Sequence, residues 1–563
     1  MSDLRRALIW GLFTLSLVML WDGWNKSNGR PSIFSPPPAV GTAGAAKGGA
    51  GDQGAQSGAG VAAATAAAAA ASAPTVVASE VVHVSTDVVS ATLDTRGASL
   101  VELDLLRHQE DGPDAAPSDA AKNVRLFSRK TAQVYQADSG LLAALSTDPA
   151  LPNHQTVMTL QPGPLKLQDG QNELTVVFES PEAGGVRLRK SYVFHRGDYN
   201  VQVRHEVINA GSTPLAPQLY LQLVRHGELA SKGSMFGAPS AFTGPAVYTD
   251  EAKYQKVDFS DIQKGKASHA AKADNGWIAM VQHYFASAWL VADKLPREFR
   301  TRTEGSNLYS VSMLLSLPSI APGTTYVVPA QLYAGPQEEY KLAALAPGLD
   351  LVKDYGWLAI LAKPLFWLLD KLHGLIGNWG WAIVALVVML KAAFYGLNAS
   401  AYRSMGKMKA VNPRITELRE RLKDKPQEMQ QEMMRIYREE KVNPLGGCLP
   451  IVVQMPVFIA LYWVLLSAVE MRNAPWIFWV TDLSAKDPFY VLPLVMTAST
   501  LLQTWLNPTP PDPVQAKMMW AMPLVFSVMF FFFPAGLVLY WVTNNLLSIL
   551  QQWLINRQLG IKH

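Results

Sequence analysis

One charged residue in the apolar C-terminal part of this 563-residue sequence is placed where it could do chemistry. Lys391 is the only Asp, Glu, Lys, Arg or His residue within five long apolar segments. A lysine at the middle of a membrane span costs about 2.5 to 3.5 kcal/mol on insertion scales. Either the side chain extends to the lipid headgroups, or it lies in a water-filled cavity that faces the cytoplasm. No carboxylate in these segments can neutralise it, so water or an incoming anionic group is its expected partner.

Amide and hydroxyl side chains in the same apolar segments favour the cavity. Polar residues in spans can also join helices to one another, but their number here favours a hydrophilic groove. We expect this substrate groove to be lined by Lys391, Gln454, Thr543, Asn544, Asn545 and Ser548.

The sequence contains no pattern typical of catalysis or of a cofactor site. Its central histidines are scattered, and no paired carboxylates, Ser-His-Asp set or nucleotide-binding loop stands out. A single cysteine, Cys448, excludes an intrachain disulfide framework and a multi-cysteine metal site. The formal charge of +4 does not suggest direct recognition of nucleic acid. We therefore expect no enzyme activity, no catalytic residues, no cofactor and no metal.

The apolar segments are predicted to span a membrane, at residues 379–398, 447–469, 489–506, 518–533 and 535–554. The loop 403–441 carries eleven Lys or Arg against seven Asp or Glu residues, whereas the loop 472–488 carries only two basic residues. Because basic loops are retained in the cytoplasm, the first loop is predicted to be cytoplasmic. An N-terminal apolar stretch begins with Arg5 and Arg6 and lacks a small-residue cleavage site. It predicts a sixth, uncleaved span, with both termini in the cytoplasm.

The region before these spans has the period of two that is typical of half-buried β-strands. In the segment 199–207, Tyr, Val and His residues alternate with polar and charged ones. Similar runs recur at 90–105, 174–178, 218–224, 308–317 and 325–333, separated by Gly, Pro and Asn turns. We predict one large antiparallel β-sandwich that lies outside the cytoplasm.

The fold class is therefore that of a multi-domain membrane protein, with a six-span α-helical part and an all-β sandwich. The predicted order is a transmembrane anchor 1–24, a flexible Ala/Gly/Pro linker 25–79, the β-sandwich 80–345, an interfacial amphipathic helix 346–378, a five-helix core 379–556 and a cytoplasmic tail 557–563. Pro364 is expected to open the interfacial helix.

The cytoplasmic loop has the period of a helical hairpin over residues 401–442. Its two apolar stripes include Met405 and Met408 on one side and Met429 and Met433 on the other. The stripes can pack on each other, or the adaptable methionine side chains can make transient contact with varied apolar segments. We predict these four residues as contacts for such segments.

Several motifs in the C-terminal part, taken in order, resemble the YidC-type membrane protein insertases, in the Gram-negative form with a large periplasmic domain. They lie at residues 377–380, 402–405, 440–450, 454–456 and 533–540. The resemblance covers about 355 to 557. It implies a supersandwich-like periplasmic β domain and a five-helix core around a positively charged groove, open to cytoplasm and lipid. Family members commonly have arginine at the groove position where this chain has Lys391, so a positive charge is kept but bidentate contact is not.

The resemblance also implies the function and the partners. It implies an insertase and chaperone that inserts nascent membrane proteins into the bacterial inner membrane, alone or with the Sec translocon. The implied partners are nascent membrane proteins, the Sec translocon, the ribosome and membrane lipids. The alternative is a secondary transporter, but proton-coupled carriers usually place Asp, Glu or His within the membrane, and these segments contain none.

Overall fold

The computed structural model describes residues 79–110, 123–131, 133–143, 149–227, 242–423, 425–440, 449–507 and 513–558. The predicted anchor 1–24, nearly all of the predicted linker 25–79 and the segment 441–448 with Cys448 lie outside the described residues.

Eighteen strands form the N-terminal part of the described chain. In chain order they are β1 (Val81–Ser85), β2 (Val89–Asp94), β3 (Ser99–Gln109), β4 (Asn123–Phe127), β5 (Tyr135–Leu142), β6 (Thr159–Leu160), β7 (Glu173–Glu179), β8 (Val186–His195), β9 (Asn200–Asn209), β10 (Gln218–His226), β11 (Gly244–Thr249), β12 (Lys253–Lys256), β13 (Lys272–Ala273), β14 (Trp277–Val281), β15 (Phe285–Leu290), β16 (Arg297–Gly305), β17 (Leu308–Ser316) and β18 (Thr325–Pro336).

The strands build two nine-stranded sheets whose neighbouring strands pair antiparallel. The first sheet has the order β1-β2-β3-β5-β10-β17-β16-β13, with β4 beside β3; the second has the order β12-β11-β14-β15-β18-β9-β8-β7-β6. One hydrophobic core contains residues of both sheets. The indole of Trp289 on β15 crosses this core and donates to the carbonyl oxygen of Gln222 on β10, at 3.1 Å. The predicted antiparallel β-sandwich is confirmed.

The alternation that predicted β9 is the burial pattern of that strand. Val201, Val203 and Val207 are buried, whereas Gln202 and Arg204 between them are exposed. The run predicted at 90–105 is instead a hairpin of β2 and β3. Gly97 makes its turn with φ of 69°, and a Cβ there would lie 2.4 Å from the Cα of His154, so the residue must be glycine.

The described chain has ten α-helices, and the last eight of them make up its C-terminal part. The ten are α1 (Phe259–Gln263), α2 (Glu339–Leu345), α3 (Ala359–Ile376), α4 (Trp379–Ala393), α5 (Tyr395–Arg421), α6 (Pro426–Glu439), α7 (Leu449–Ser467), α8 (Val491–Leu506), α9 (Pro513–Phe530) and α10 (Ala535–Gln558). Helices α1 and α2 belong to the β-sandwich region, and a second hydrophobic core lies among α3, α4, α7, α8 and α10. Its most enclosed members include Ala362, Ile383, Val464 and Val538, each at most 1% exposed.

The junction between α3 and α4 explains the motif at 377–380. Gly377 ends α3 with φ of 75°, a left-handed conformation that favours glycine. Asn378 then caps α4, because its side-chain oxygen accepts from the backbone N–H of Trp381 at 3.1 Å. The start of α3 differs from the expectation: the helix begins at Ala359, so Pro364 lies inside it and does not open it.

The first predicted span, 379–398, is broken. Helix α4 ends at Ala393, and α5 begins at Tyr395 with a bend of 68° between the two helices. Phe394 at the break has φ of −91° and ψ of 10°, which is outside the helical range. The predicted hairpin boundary at 401 therefore falls inside α5, which continues through to Arg421.

By length and composition, this bent pair is the one candidate for a membrane crossing among the described helices. No single described helix meets the length and hydropathy required of a span, although shorter apolar helices cover Val453–Ser467, Val491–Leu506 and Ala516–Phe530.

A buried ion pair connects the end of the β domain to the helical part. The Nζ atom of Lys353 lies 3.0 Å from both carboxylate oxygens of Glu470, which follows α7. It also lies 3.9 Å from the centre of the Phe366 ring on α3. The Lys353 side chain is fully buried, and that of Glu470 is 21% exposed. Two further bonds support the same junction: the Nε2 atom of His283 lies 2.9 Å from the carbonyl oxygen of Leu466, and Arg472 donates to the carbonyl oxygen of Gln109 at 2.7 Å.

Candidate functional site

The side chain of Lys391 lies in the last turn of α4, two residues before the helix ends. Its Nζ atom donates to the hydroxyl oxygen of Ser548 on α10 at 2.7 Å. If the predicted span continued to Asn398, Lys391 would lie about 10 Å of helix rise from the end of its helix. Because the helix breaks at Phe394, that distance is about 3 Å. The last turn suits a cation, because the unpaired carbonyls there carry partial negative charge.

A cavity of about 230 Å³ opens beside Lys391, between helices α4, α5, α7, α8 and α10. Its polar wall consists of Lys391, Asn398, Tyr402, Gln454, Gln503, Asn507, Asn544, Asn545 and Ser548. Its apolar wall includes Met405, Met455, Phe458 and Trp541. A smaller pocket adjoins it along α4 and shares Lys391, Gln454 and Asn544. Within the described residues Lys391 is the one charged member of the lining.

Hydrogen bonds organise the wall around the ammonium group. Ser548 donates its hydroxyl hydrogen to the carbonyl oxygen of Asn544, one turn earlier, at 2.7 Å. The side-chain oxygen of Asn544 accepts from the Nε2 atom of Gln454 on α7 at 2.9 Å. One continuous chain of hydrogen bonds therefore links three helices, through Lys391, Ser548, Asn544 and Gln454.

A second set of polar residues on α10 fastens helices together. Asn545 donates its amide hydrogens to the hydroxyl oxygens of Ser499 at 3.1 Å and Thr500 at 2.8 Å, both on α8. Gln552 donates to the side-chain oxygen of Asn507 at 3.2 Å. Asn545 lines the cavity and also joins α10 to α8. Polar residues on α10 therefore include ones that line the cavity and ones that join helices.

The structure brings together five of the six residues predicted for the groove. Lys391, Gln454, Asn544, Asn545 and Ser548 all line the cavity. Thr543 is the exception: it is buried in the helical part, where its hydroxyl donates to the carbonyl oxygen of Leu539 at 2.8 Å. This bond to the backbone satisfies the Thr543 hydroxyl within its own helix. A polar side chain in a span therefore need not face the cavity.

The predicted methionine contacts are divided between two places. Met405 lines the groove cavity. Met408 and Met433 pack against the buried residues Val411 and Ile415, where α5 meets α6. Met429 is partly exposed. The two stripes thus pack on each other, which is the first of the two alternatives given by the sequence.

Besides Tyr540, which also lines the cavity, the sequence reasoning missed four polar residues of the lining. Gln503 lies inside a predicted span and meets the same criterion that identified Gln454, so it could have been found. Asn398, Tyr402 and Asn507 lie at or beyond the ends of predicted spans, where polar side chains are ordinary. Their position in the cavity depends on the break at Phe394 and on how α5 and α8 approach α10.

The site is suited to binding an anionic group. A lysine ammonium has three N–H donors, and the described contacts use one of them, on a neutral hydroxyl. Among the described residues no carboxylate lies within ion-pair distance of Lys391, and no group of three His, Cys, Asp or Glu side chains is arranged to hold a metal. The cavity is large enough to admit several waters or a short polar segment of another chain.

Comparisons with known proteins cover nearly the whole chain. The family model described as YidC periplasmic domain matches residues 81–368, and the model described as 60Kd inner membrane protein matches residues 371–562. The chain is similar to the membrane protein insertase YidC of Cupriavidus taiwanensis, with 53% identity over 99% of this chain and 98% of that one. The corresponding protein of Cupriavidus necator is 54% identical, over the same shares. A crystal structure of active YidC insertase with its first transmembrane domain resolved matches 84% of this chain and 92% of that chain, at 17% identity and a TM-score of 0.38.

Proposed function

This chain belongs to the YidC family of membrane protein insertases, and from that premise we propose that the cavity around Lys391 is its substrate groove. The chain is a membrane protein insertase of the inner membrane with a periplasmic domain, and it is not an enzyme. The family assignment decides against the secondary transporter. What remains to be proposed is how its own residues act on a client.

One observation carries the proposal: a lysine in a polar cavity has a neutral hydroxyl as its described partner. A buried structural ammonium is ordinarily neutralised by a carboxylate, since an unpaired charge is costly in a medium of low dielectric. In the groove the ammonium group is solvated by water, or its charge is compensated by an anionic group of the client. Lys391 therefore attracts an acidic extracytoplasmic tail of the nascent protein as it enters from the cytoplasm.

The apolar part of the client supplies the driving force for insertion. Once its polar tail occupies the groove, its apolar segment partitions from the groove into the surrounding lipid, and burial of apolar area makes transfer favourable. Met405, Met455 and Phe458 give the groove an apolar side with adaptable shape, which suits segments of differing sequence. No bond is made or broken and no nucleotide is consumed.

The proposed topology has six spans, both termini in the cytoplasm and the hairpin of α5 and α6 on the cytoplasmic side. The excess of basic residues in the hairpin supports it, and on that side the hairpin can meet the ribosome, the nascent chain and the Sec translocon. A cysteine replacing the exposed Lys423 should be labelled only from the cytoplasm, and one replacing the exposed Gln171 only from the periplasm. Labelling from the opposite side at either position would overturn the proposed topology.

Substitution of Lys391 tests the groove. Lys391→Arg should insert clients normally, because the positive charge is kept. Lys391→Glu should be the most defective, since it repels acidic tails, and Lys391→Ala should impair acidic-tailed clients more than matched neutral-tailed ones. The measurement is insertion of the two client types into vesicles that contain equal amounts of each variant.

If the lysine only extends to the headgroups, Lys391→Ala will be harmless, because it removes a costly group from the span. Undiminished insertion of both client types by Lys391→Ala at wild-type abundance would contradict the groove proposal.

A further inference from the structure

We propose that Ser548 is a positioning residue, which holds the ammonium group of Lys391 at the groove wall where a client carboxylate can reach it. This inference rests on the proposed groove. Lys391 and Ser548 belong to different helices, α4 and α10, and are joined by the 2.7 Å bond between Nζ and Oγ. Among the described contacts it is the one hydrogen bond made by the Lys391 side chain.

The direction of the second bond at Ser548 makes this hydroxyl an acceptor toward lysine. A serine hydroxyl has one hydrogen to donate, and Ser548 gives it to the carbonyl oxygen of Asn544 at 2.7 Å. Its lone pairs are thereby directed away from that carbonyl and are available to the ammonium group. Ser548 is 2% exposed, so its side chain is held by the surrounding helices.

The neighbouring acceptor is engaged elsewhere. The side-chain oxygen of Asn544 accepts from Gln454 at 2.9 Å. The Tyr402 hydroxyl also makes a side-chain hydrogen bond with Ser548, so Ser548 is the point where α4, α5 and α10 meet beside the ammonium group. The lysine stem has four carbons and many rotamers, and α4 ends two residues after Lys391. Without Ser548 the head group is free to turn toward the cytoplasmic end of the helix, where it is better hydrated.

One bond to a neutral oxygen fixes the place of the charge without neutralising it. Two N–H groups remain for an incoming carboxylate, and the hydroxyl does not compete electrostatically with that carboxylate as an acidic residue would. The substrate class follows: the arrangement favours client tails with Asp or Glu over neutral tails. An arrangement with a carboxylate at residue 548 would instead form an internal ion pair and exclude the client.

The test compares two nearly isosteric variants, Ser548→Thr and Ser548→Val, in the full-length protein in lipid vesicles. Threonine keeps the hydroxyl and valine removes it at almost unchanged volume. Two measurements are made: insertion of matched acidic-tailed and neutral-tailed clients, and zero-length carbodiimide cross-linking of a tail aspartate to Lys391, mapped by mass spectrometry. Ser527→Ala is the matched control, because Ser527 is also buried and also donates to a carbonyl one turn earlier, at 2.7 Å, but on another helix.

We expect Ser548→Val to lower cross-linking and acidic-tail insertion by about tenfold or more, as for loss of a hydrogen bond to a charged group, with neutral-tail insertion unchanged. Ser548→Thr and Ser527→Ala should behave as wild type. Two results would overturn the inference: wild-type behaviour of Ser548→Val, or an equal loss for both client types, which marks a structural role. Lys391→Ala separates this failure from failure of the groove proposal, since only the latter leaves Lys391→Ala fully active with acidic tails.

Discussion

Two lysines in different regions of this molecule have opposite kinds of partner for their charge. Lys353, where the β domain meets the helices, is fully buried and is neutralised by both carboxylate oxygens of Glu470. Lys391, in the groove, is only partly buried and meets the hydroxyl of Ser548. The first arrangement satisfies the charge internally and fixes one geometry. The second leaves the charge available, as a site for an anionic client needs.

The β-sandwich adds a third lysine that sharpens the contrast. Lys190 on β8 is completely buried and donates to two backbone carbonyl oxygens, of Gly97 at 2.6 Å and Ser139 at 2.7 Å, on the other sheet. Burial lowers its pKa to about 7, although the nearby carboxylate of Asp138 acts to raise it. A lysine without a directly bonded carboxylate thus carries a stability cost in the sandwich core, whereas in the proposed groove the same lack is expected to serve binding.

The largest expected effect is at the domain junction. Glu470→Gln keeps the shape of the side chain but leaves the buried ammonium of Lys353 unpaired, so it should lower the free energy of unfolding by about 3 kcal/mol. Burial also raises the pKa of Glu470, with Lys353 opposing that shift, so this carboxylate depends on its partner to stay charged. The measurement is chemical unfolding of the purified protein in mixed micelles.

The double variant Lys353→Met with Glu470→Leu is its control. It removes both charges together and should recover most of the lost stability, because no unpaired charge is left. If Glu470→Gln proves as stable as wild type, the junction does not depend on the ion pair and the comparison of the two lysines fails.

For each unit of pH, an intermediate effect on stability is expected from Lys190. Its folded pKa of about 7 lies below the unfolded value of 10.5. Between these values the unfolded chain binds more protons, so the free energy of unfolding should rise with pH, at about 1.4 kcal/mol per unit. The destabilisation is fully present below about pH 7 and is lost as the pH approaches 10.5. Unfolding of wild type and Lys190→Met from pH 7 to 9.5 measures it, and an equal rise in both proteins would assign the effect to other groups.

The smallest effect is expected for the stability of Lys391 variants. Lys391→Met breaks one bond to a neutral hydroxyl and strands no carboxylate, so the free energy of unfolding should change by less than about 1 kcal/mol while insertion of acidic-tailed clients falls. Unfolding and insertion are measured on the same preparation. A loss of stability as large as that of Glu470→Gln would mean that Lys391 is a structural residue like Lys353.

Much of the fold and part of the groove could be predicted from local pattern. The period of two in β9 fixed which residues face the core, since successive side chains of a strand point to opposite faces. The uniqueness of Lys391 among the apolar segments identified a residue that lines the cavity proposed as the groove. Gly377 and Asn378 are residue types that suit a helix end followed by a cap, and the structure has both features there.

The sequence by itself determined which residues are apolar, which are polar and with what period they recur, because these follow from local chemistry. Only the tertiary structure decided that Asn544 faces the cavity while Thr543 bonds its own helix, and that α4 stops at Ala393. It also decided that Lys353 meets Glu470, 117 residues later in the chain. The physical reason is the same in each case: helical period relates residues to the axis of their own helix, whereas partners on another helix depend on how the helices pack.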